Sequence, residues 1–132
     1  MSIASRSKSS HRPHQLGKAG EDAAVNYLIT NGYQILERNW RGTDGEIDII
    51  TKFANVGSGQ PEIIFVEVKT RSTIEFGAPI EAITKEKYRR LYLLGREWIA
   101  TNQPNAPWRV DLLALLGSKK SFRISHIKGL IA

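Results

Sequence analysis

A chain of 132 residues, 41% hydrophobic and 24% charged, has the size and balance of one ordinary soluble domain with its own core. It contains no cysteine, which excludes disulfides, thiolate zinc sites and cysteine nucleophiles and fits a reducing cytoplasm, and no apolar run is long enough for a membrane span or signal-peptide core. Nineteen Lys and Arg against thirteen Asp and Glu give a net charge of +6 and a pI near 9.8, which favours a polyanionic partner, nucleic acid before an anionic membrane surface.

Residues 1–13, MSIASRSKSSHRP, are rich in Ser, Arg and Lys and hold no acid, so they are expected to form a disordered basic tail ahead of a domain spanning 14–132. From His14 to Asn31 the spacing is helical: Leu16, Gly20, Ala23, Ala24, Tyr27 and Leu28 fall on one stripe, with Glu21 beside it. Asn31-Gly32 supplies the stop. Residues 33–40 read as a strand, 41–45 as a turn and 46–53 as a second strand, together a hairpin. After a loop rich in breakers at 54–61, IIFVEVKTR at 63–71 forms a third strand, and 72–79 is again loop.

A second helix is expected from near Ile80 or Thr84 to Thr101, burying Ile83, Tyr88, Leu91, Trp98 and Ile99. Residues 102–107 break it, and 108–116 and 122–127 close the chain as strands four and five. A helical crossover between strands three and four favours a parallel pair, and IIFV and LLALL, apolar on both faces, belong in the middle of a sheet. The expected fold is therefore α/β, a mixed five-stranded sheet flanked by helices in the order helix, three strands, helix, two strands.

The chemistry concentrates in two strands. Asp48 interrupts the apolar second strand, and Glu67 and Lys69 project to one face of the third because side chains at i and i+2 share a face. If these strands are neighbours, Asp48 and Glu67 converge near one sheet edge. Two carboxylates brought together stay ionised at neutral pH only with a compensating cation. Mg2+ (or Mn2+) suits such a pair, since it binds through one or two carboxylates and keeps water and phosphate oxygens in its other positions. Lys69 beside it would orient an attacking water or stabilise developing phosphorane charge. A Glu67–Lys69 or Asp48–Lys69 ion pair at a sheet end explains the same residues, and the residues alone leave both explanations open.

Around this set, Arg71 is placed for a scissile-strand phosphate contact. Lys85, Lys87, Arg89 and Arg90 cluster at the start of the second helix, either as phosphate-backbone contacts or as a solvated face. Glu46 shares a face with Asp48 and reads best as a solvated carboxylate near the turn. Arg109 and Asp111 flank Val110 as a structural pair or as support for the site. His11, His14 and His126 have no ligand spacing and receive no role, and Trp40, Trp98 and Trp108 are assigned to the core.

Five segments carry a family resemblance: GKAGEDAAVNYL (17–28), GYQILERNWRGTDGEIDII (32–50), FVEVKTR (65–71), FGAPIEAITKEKYRRL (76–91) and WRVDLLAL (108–115). In order and spacing the chain resembles the YraN-type family of bacterial proteins, related to restriction endonucleases and archaeal Holliday-junction resolvases. The resemblance implies a restriction-endonuclease-like core and a magnesium-dependent nuclease that cuts phosphodiester bonds, with branched or junction DNA as substrate. It places the metal site on Asp48, Glu67 and Lys69, and puts on Glu21 the first-helix glutamate that holds the ion's outer waters or a second ion. A homodimer would suit a two-stranded junction. The other readings are a nucleic-acid-binding module that does not cut, and an interaction protein docking on a repair or recombination complex.

Overall fold

The structure is a computed structural model and describes residues 8–54, 57, 59–72 and 83–131, with side chains from Gln15 onward. Its elements follow the expected order: α1 (Lys8–Thr30), β1 (Tyr33–Gly42), β2 (Gly45–Phe53), β3 (Glu62–Arg71), α2 (Lys85–Asn102), β4 (Trp108–Ser118) and β5 (Ser121–Ile127). The strand boundaries fall within two residues of those expected. α1 starts at Lys8 rather than His14, so the expected basic tail overlaps the first turns of the helix, and residues 1–7 lie outside the described residues. The expected loop at 72–79 and the earlier of the two expected starts of α2, near Ile80, also fall largely outside them. α1 ends as read: Gly32, at φ +92°, donates its N–H to Ile29 at 3.1 Å.

The sheet runs β1-β2-β3-β4-β5, with β3 and β4 parallel and every other pair antiparallel. The parallel pair is the one joined through α2, as the crossover requires. Each helix covers one face. On the α2 side Leu91, Leu94, Trp98 and Ile99 pack on Ile63, Phe65, Val110 and Leu112; on the α1 side Ala24 and Leu28 pack on Ile49, Ile64, Val66, Leu113 and Leu115. This is why the central strands are apolar on both faces. Each large side chain so buried stabilises the fold by roughly 1.5–3 kcal/mol. Trp98 is buried with its Nε1–H donating to Glu37 at 2.7 Å, while Trp40 and Trp108 pack half-buried against the same cluster. Among the described residues no helix is long and apolar enough to cross a membrane.

At one end of the α1 face, Asp111 on β4 is fully buried and fully satisfied. Its carboxylate accepts from Arg109 Nε at 2.9 Å and Nη2 at 3.2 Å, and from the Gly129 amide at 2.9 Å. His126 Nε2 lies 2.8 Å away, and the Tyr27 hydroxyl lies 3.0 Å from His126 Nδ1. Burial alone would raise the Asp111 pKa, but these donors outweigh it and hold the carboxyl below its ordinary value. Arg109 and Asp111 thus form a structural pair, and His126, given no role from its spacing, joins β5 and α1 to it. Arg109 also donates to Glu62 at 2.7 Å, extending the network to the start of β3.

At the other end of that face α1 approaches β3 closely. A Cβ at Gly20 would lie 2.1 Å from Thr70 Oγ1 and 2.8 Å from Thr70 Cγ2, so only glycine permits this approach. Gly20→Ala is therefore expected to destabilise the protein by about 1–3 kcal/mol. Thr70→Ala in the same chain is expected to recover most of that loss, and a thermal-denaturation double-mutant cycle measures it. Purely additive losses would show that the two sites do not touch.

Candidate functional site

The pairing of β2 with β3 ends at Ile49↔Val66. Beyond it the Val68 N–H donates to Asp48 Oδ2 at 2.8 Å, so a side chain replaces the main-chain acceptor where the ladder stops. Alternation in β2 breaks at the same residue: Ile47 packs on the α2 side and Ile49 on the α1 side. A buried amide left without an acceptor costs about 1–3 kcal/mol, which gives a local reason for a carboxylate inside an apolar strand.

Satisfying Val68 brings Asp48 beside Glu67, which is only 6% exposed on β3. Burial first, and then the Glu67 carboxylate, push the Asp48 pKa up to about 7 despite the Val68 amide. Two lysines answer the charge. Lys87 Nζ, from the first turn of α2, lies 2.9 Å from Glu67 Oε2, and Lys69 Nζ lies 3.7 Å from the same oxygen. Burial and the neighbouring Lys87 lower the Lys69 pKa. Burial also opposes the Lys87 ammonium, but its contacts with Lys69 and Glu67 prevail and its pKa is raised. The Glu67–Lys69 ion pair, one of the two explanations open in the sequence, is present, and Asp48 and Glu67 also approach each other.

Asp48 and Lys69 of this cluster line a cleft of about 590 Å³, together with Val68 and Thr70 from the sheet, Asn39 from β1, and Gly17, Lys18 and Glu21 from α1, whereas Glu67 and Lys87 lie behind its wall. Glu21 therefore shares the cleft with Asp48 and Lys69. Its Oε1 accepts from Arg38 Nη2 at 2.8 Å and from Asn39 Nδ2 at 3.2 Å, and Arg38 also reaches Asp22 at 2.9 Å. Arg38 and Asn39 were not singled out in the sequence. The available signal was Asn39 itself, a poor strand former set in β1, which adopts the left-handed conformation at φ +53° that asparagine tolerates better than most residues.

The other expected residues divide. Lys85, Arg89 and Arg90 are exposed on α2, whereas Lys87 turns inward to Glu67. Arg71 is half-buried at the end of β3, opposite Leu116 of β4. Glu46 is exposed and pairs with Arg41 at 3.3 Å, away from the cluster. Among the described residues no group of three or more His, Cys, Asp or Glu side chains is arranged to hold a metal ion.

The raised Asp48 pKa makes stability depend on pH. Between the ordinary value of 3.8 and about 7 the folded protein keeps a proton that the unfolded chain gives up, so stability falls as pH rises through this window. In chelator, Asp48→Asn is expected to melt several degrees above the wild type at pH 8, with the gap narrowing toward pH 5. Melting curves across that range check this. A gap that does not change with pH would show that Asp48 carries no such cost.

Comparison with known proteins identifies the family. The chain matches the group described as uncharacterised protein family UPF0102 over residues 20–115, a span that holds Glu21, Asp48, Glu67, Lys69 and Lys87. A UPF0102 protein of Bacteroides fragilis is 44% identical over 113 residues, covering 86% of this chain and 88% of its own. One from Leifsonia xyli is 41% identical over 119 residues, covering 89% and 96%. One from Flavobacterium psychrophilum is 37% identical over 115 residues, covering 87% and 92%. The chain belongs to the UPF0102 family, the YraN-type family that its motifs resemble.

Proposed function

We propose that this protein is a metal-dependent nuclease that hydrolyses phosphodiester bonds in DNA. The observation that carries this reading is the convergence of Asp48 and Glu67 at the end of the β2–β3 ladder, with Lys69 in contact with Glu67 and sharing a cleft with Asp48. The donor set fits a hard divalent cation. Its donors are carboxylate oxygens alone, and burial first, then their mutual repulsion, hold the Asp48 pKa up; a bound cation would offset both. Two protein carboxylates leave room for water and phosphate oxygens, as Mg2+ or Mn2+ prefers. When bound, the ion would supply charge stabilisation at a phosphate oxygen and acidify a nearby water.

The chain's own groups then divide the work. Asp48 and Glu67 would hold the cation. Lys69, whose amine burial and Lys87 make the easier of the two to deprotonate, is suited to take a proton from an attacking water or to orient it. Glu21, fixed by Arg38 and Asn39 at the rim of the cleft, would order outer waters. Arg71 and the exposed Lys85, Arg89 and Arg90 would contact flanking phosphates, in keeping with the net charge of +6. Branched or junction DNA as substrate, a homodimer to engage it and a cytoplasmic location belong to the same proposal and rest on the family resemblance and the cysteine-free composition.

One observation favours a second reading, a module that binds nucleic acid without cutting. The Glu67–Lys87 pair already neutralises the most buried carboxylate of the cluster, so the fold can keep these residues for stability alone. Incubating purified protein and Glu67→Ala with Mg2+ or Mn2+ separates the two, using linear duplex, single strand, flap and four-way junction as substrates. The nuclease reading expects metal-dependent cleavage that falls at least about 100-fold in the variant. No cleavage alongside tight junction binding would overturn it in favour of the module.

A further inference from the structure

We propose that Lys87 is an internal competitor for the metal position, an ammonium that occupies Glu67 until a divalent cation displaces it. This deepens the nuclease reading and rests on Asp48 and Glu67 being the metal-holding pair. Lys87 was expected, with its helix neighbours, to face phosphate or solvent, and the structure instead gives it the shortest ionic contact in the cluster, 2.9 Å to Glu67 Oε2 against 3.7 Å for Lys69. Its partner is the more deeply buried side: the Glu67 side chain is 8% exposed and that of Lys87 30%. The inward reach is built into the start of α2. Thr84 caps the helix and accepts the Lys87 N–H at 3.1 Å, which fixes the backbone of Lys87, while the flanking Lys85, Glu86, Arg89 and Arg90 stay exposed.

Two consequences follow from electrostatics. Glu67 Oε2 cannot give its inner contact both to the Lys87 ammonium and to a divalent ion, and the two cations repel at such range. Metal therefore takes Oε2 only as Lys87 leaves it. Conversely, when no metal is present, Lys87 is the nearest cation to a buried carboxylate, and removing it leaves Glu67 under-compensated. Loss of Lys87 must then move two properties in opposite directions, lowering stability without metal and raising affinity for metal. A lysine that only supported the fold would lower both.

The test is a titration of Mn2+ into the full chain, by calorimetry and by electron paramagnetic resonance, for the wild type, Lys87→Met, Lys87→Arg and Glu67→Gln, with melting temperatures in chelator and in Mn2+. Lys87→Met is expected to bind Mn2+ about tenfold more tightly or better, to melt lower in chelator and to gain more from Mn2+ than the wild type does. Lys87→Arg keeps the charge and is expected to bind Mn2+ as the wild type does. Lys87→Gln, which keeps a donor to Glu67 without the charge, serves if the Met variant does not fold and is expected to bind more tightly as well. Neutral variants that bind Mn2+ no better than the wild type, while Glu67→Gln abolishes binding, would overturn the role of Lys87 and leave the metal reading standing. Wild-type protein without Glu67-dependent Mn2+ binding would overturn both.

Discussion

The bond from the Val68 amide to Asp48 Oδ2 is the constraint on which the rest of the site depends. Where β2 and β3 part, that amide needs an acceptor, and Asp48 supplies it from inside an apolar strand. The carboxylate so placed is buried and stands beside Glu67. Their repulsion then calls for cations, and the fold provides Lys69 from the same strand and Lys87 from the helix across the α2 face. A break in backbone pairing thus leads, through one hydrogen bond, to a four-group cluster in which Asp48, Lys69 and Lys87 have shifted pKa values. Such clusters are characteristic of sites that do chemistry.

The two aspartates inside the sheet show how environment sets the protonation of a carboxylate. Asp111 is surrounded by donors from Arg109, His126 and the Gly129 amide, and its pKa is lowered. Asp48 has one amide and a neighbouring carboxylate, and its pKa is raised to about 7. The first is satisfied within the protein and fastens β4 to β5, α1 and the C-terminal segment. The second is compensated only by neighbouring lysines and lines an open cleft. The helices serve the same division: α1 comes down on Thr70 at Gly20 and carries Glu21 to the cleft, while the Thr84 cap at the start of α2 aims Lys87.

Much of this was legible in the sequence because the signals are local or periodic. Runs such as IIFV and LLALL, apolar on both faces, marked the central strands, and the helical crossover marked the parallel pair. Asp48, Glu67 and Lys69 stood out as charges inside strands otherwise built for burial. What stayed hidden depends on three-dimensional contact. Nothing in KEKYRR says that Lys87 turns inward while Lys85 and Arg89 face solvent, since that follows from how α2 is capped and seated. Glu21 meets Arg38 across 17 positions and His126 meets Asp111 across 15, through packing and register that composition does not reveal. The start of α1 at Lys8 was missed because a polar, basic stretch carries no apolar stripe.

Anomalous X-ray diffraction from crystals soaked in Mn2+ tests the central claim most directly. The account predicts one strong peak between the carboxylates of Asp48 and Glu67, with the Lys87 ammonium moved off Glu67. Electron density with Lys87 still in contact with Glu67, and no manganese at the pair, would contradict it and leave the cluster as an internally neutralised part of the fold.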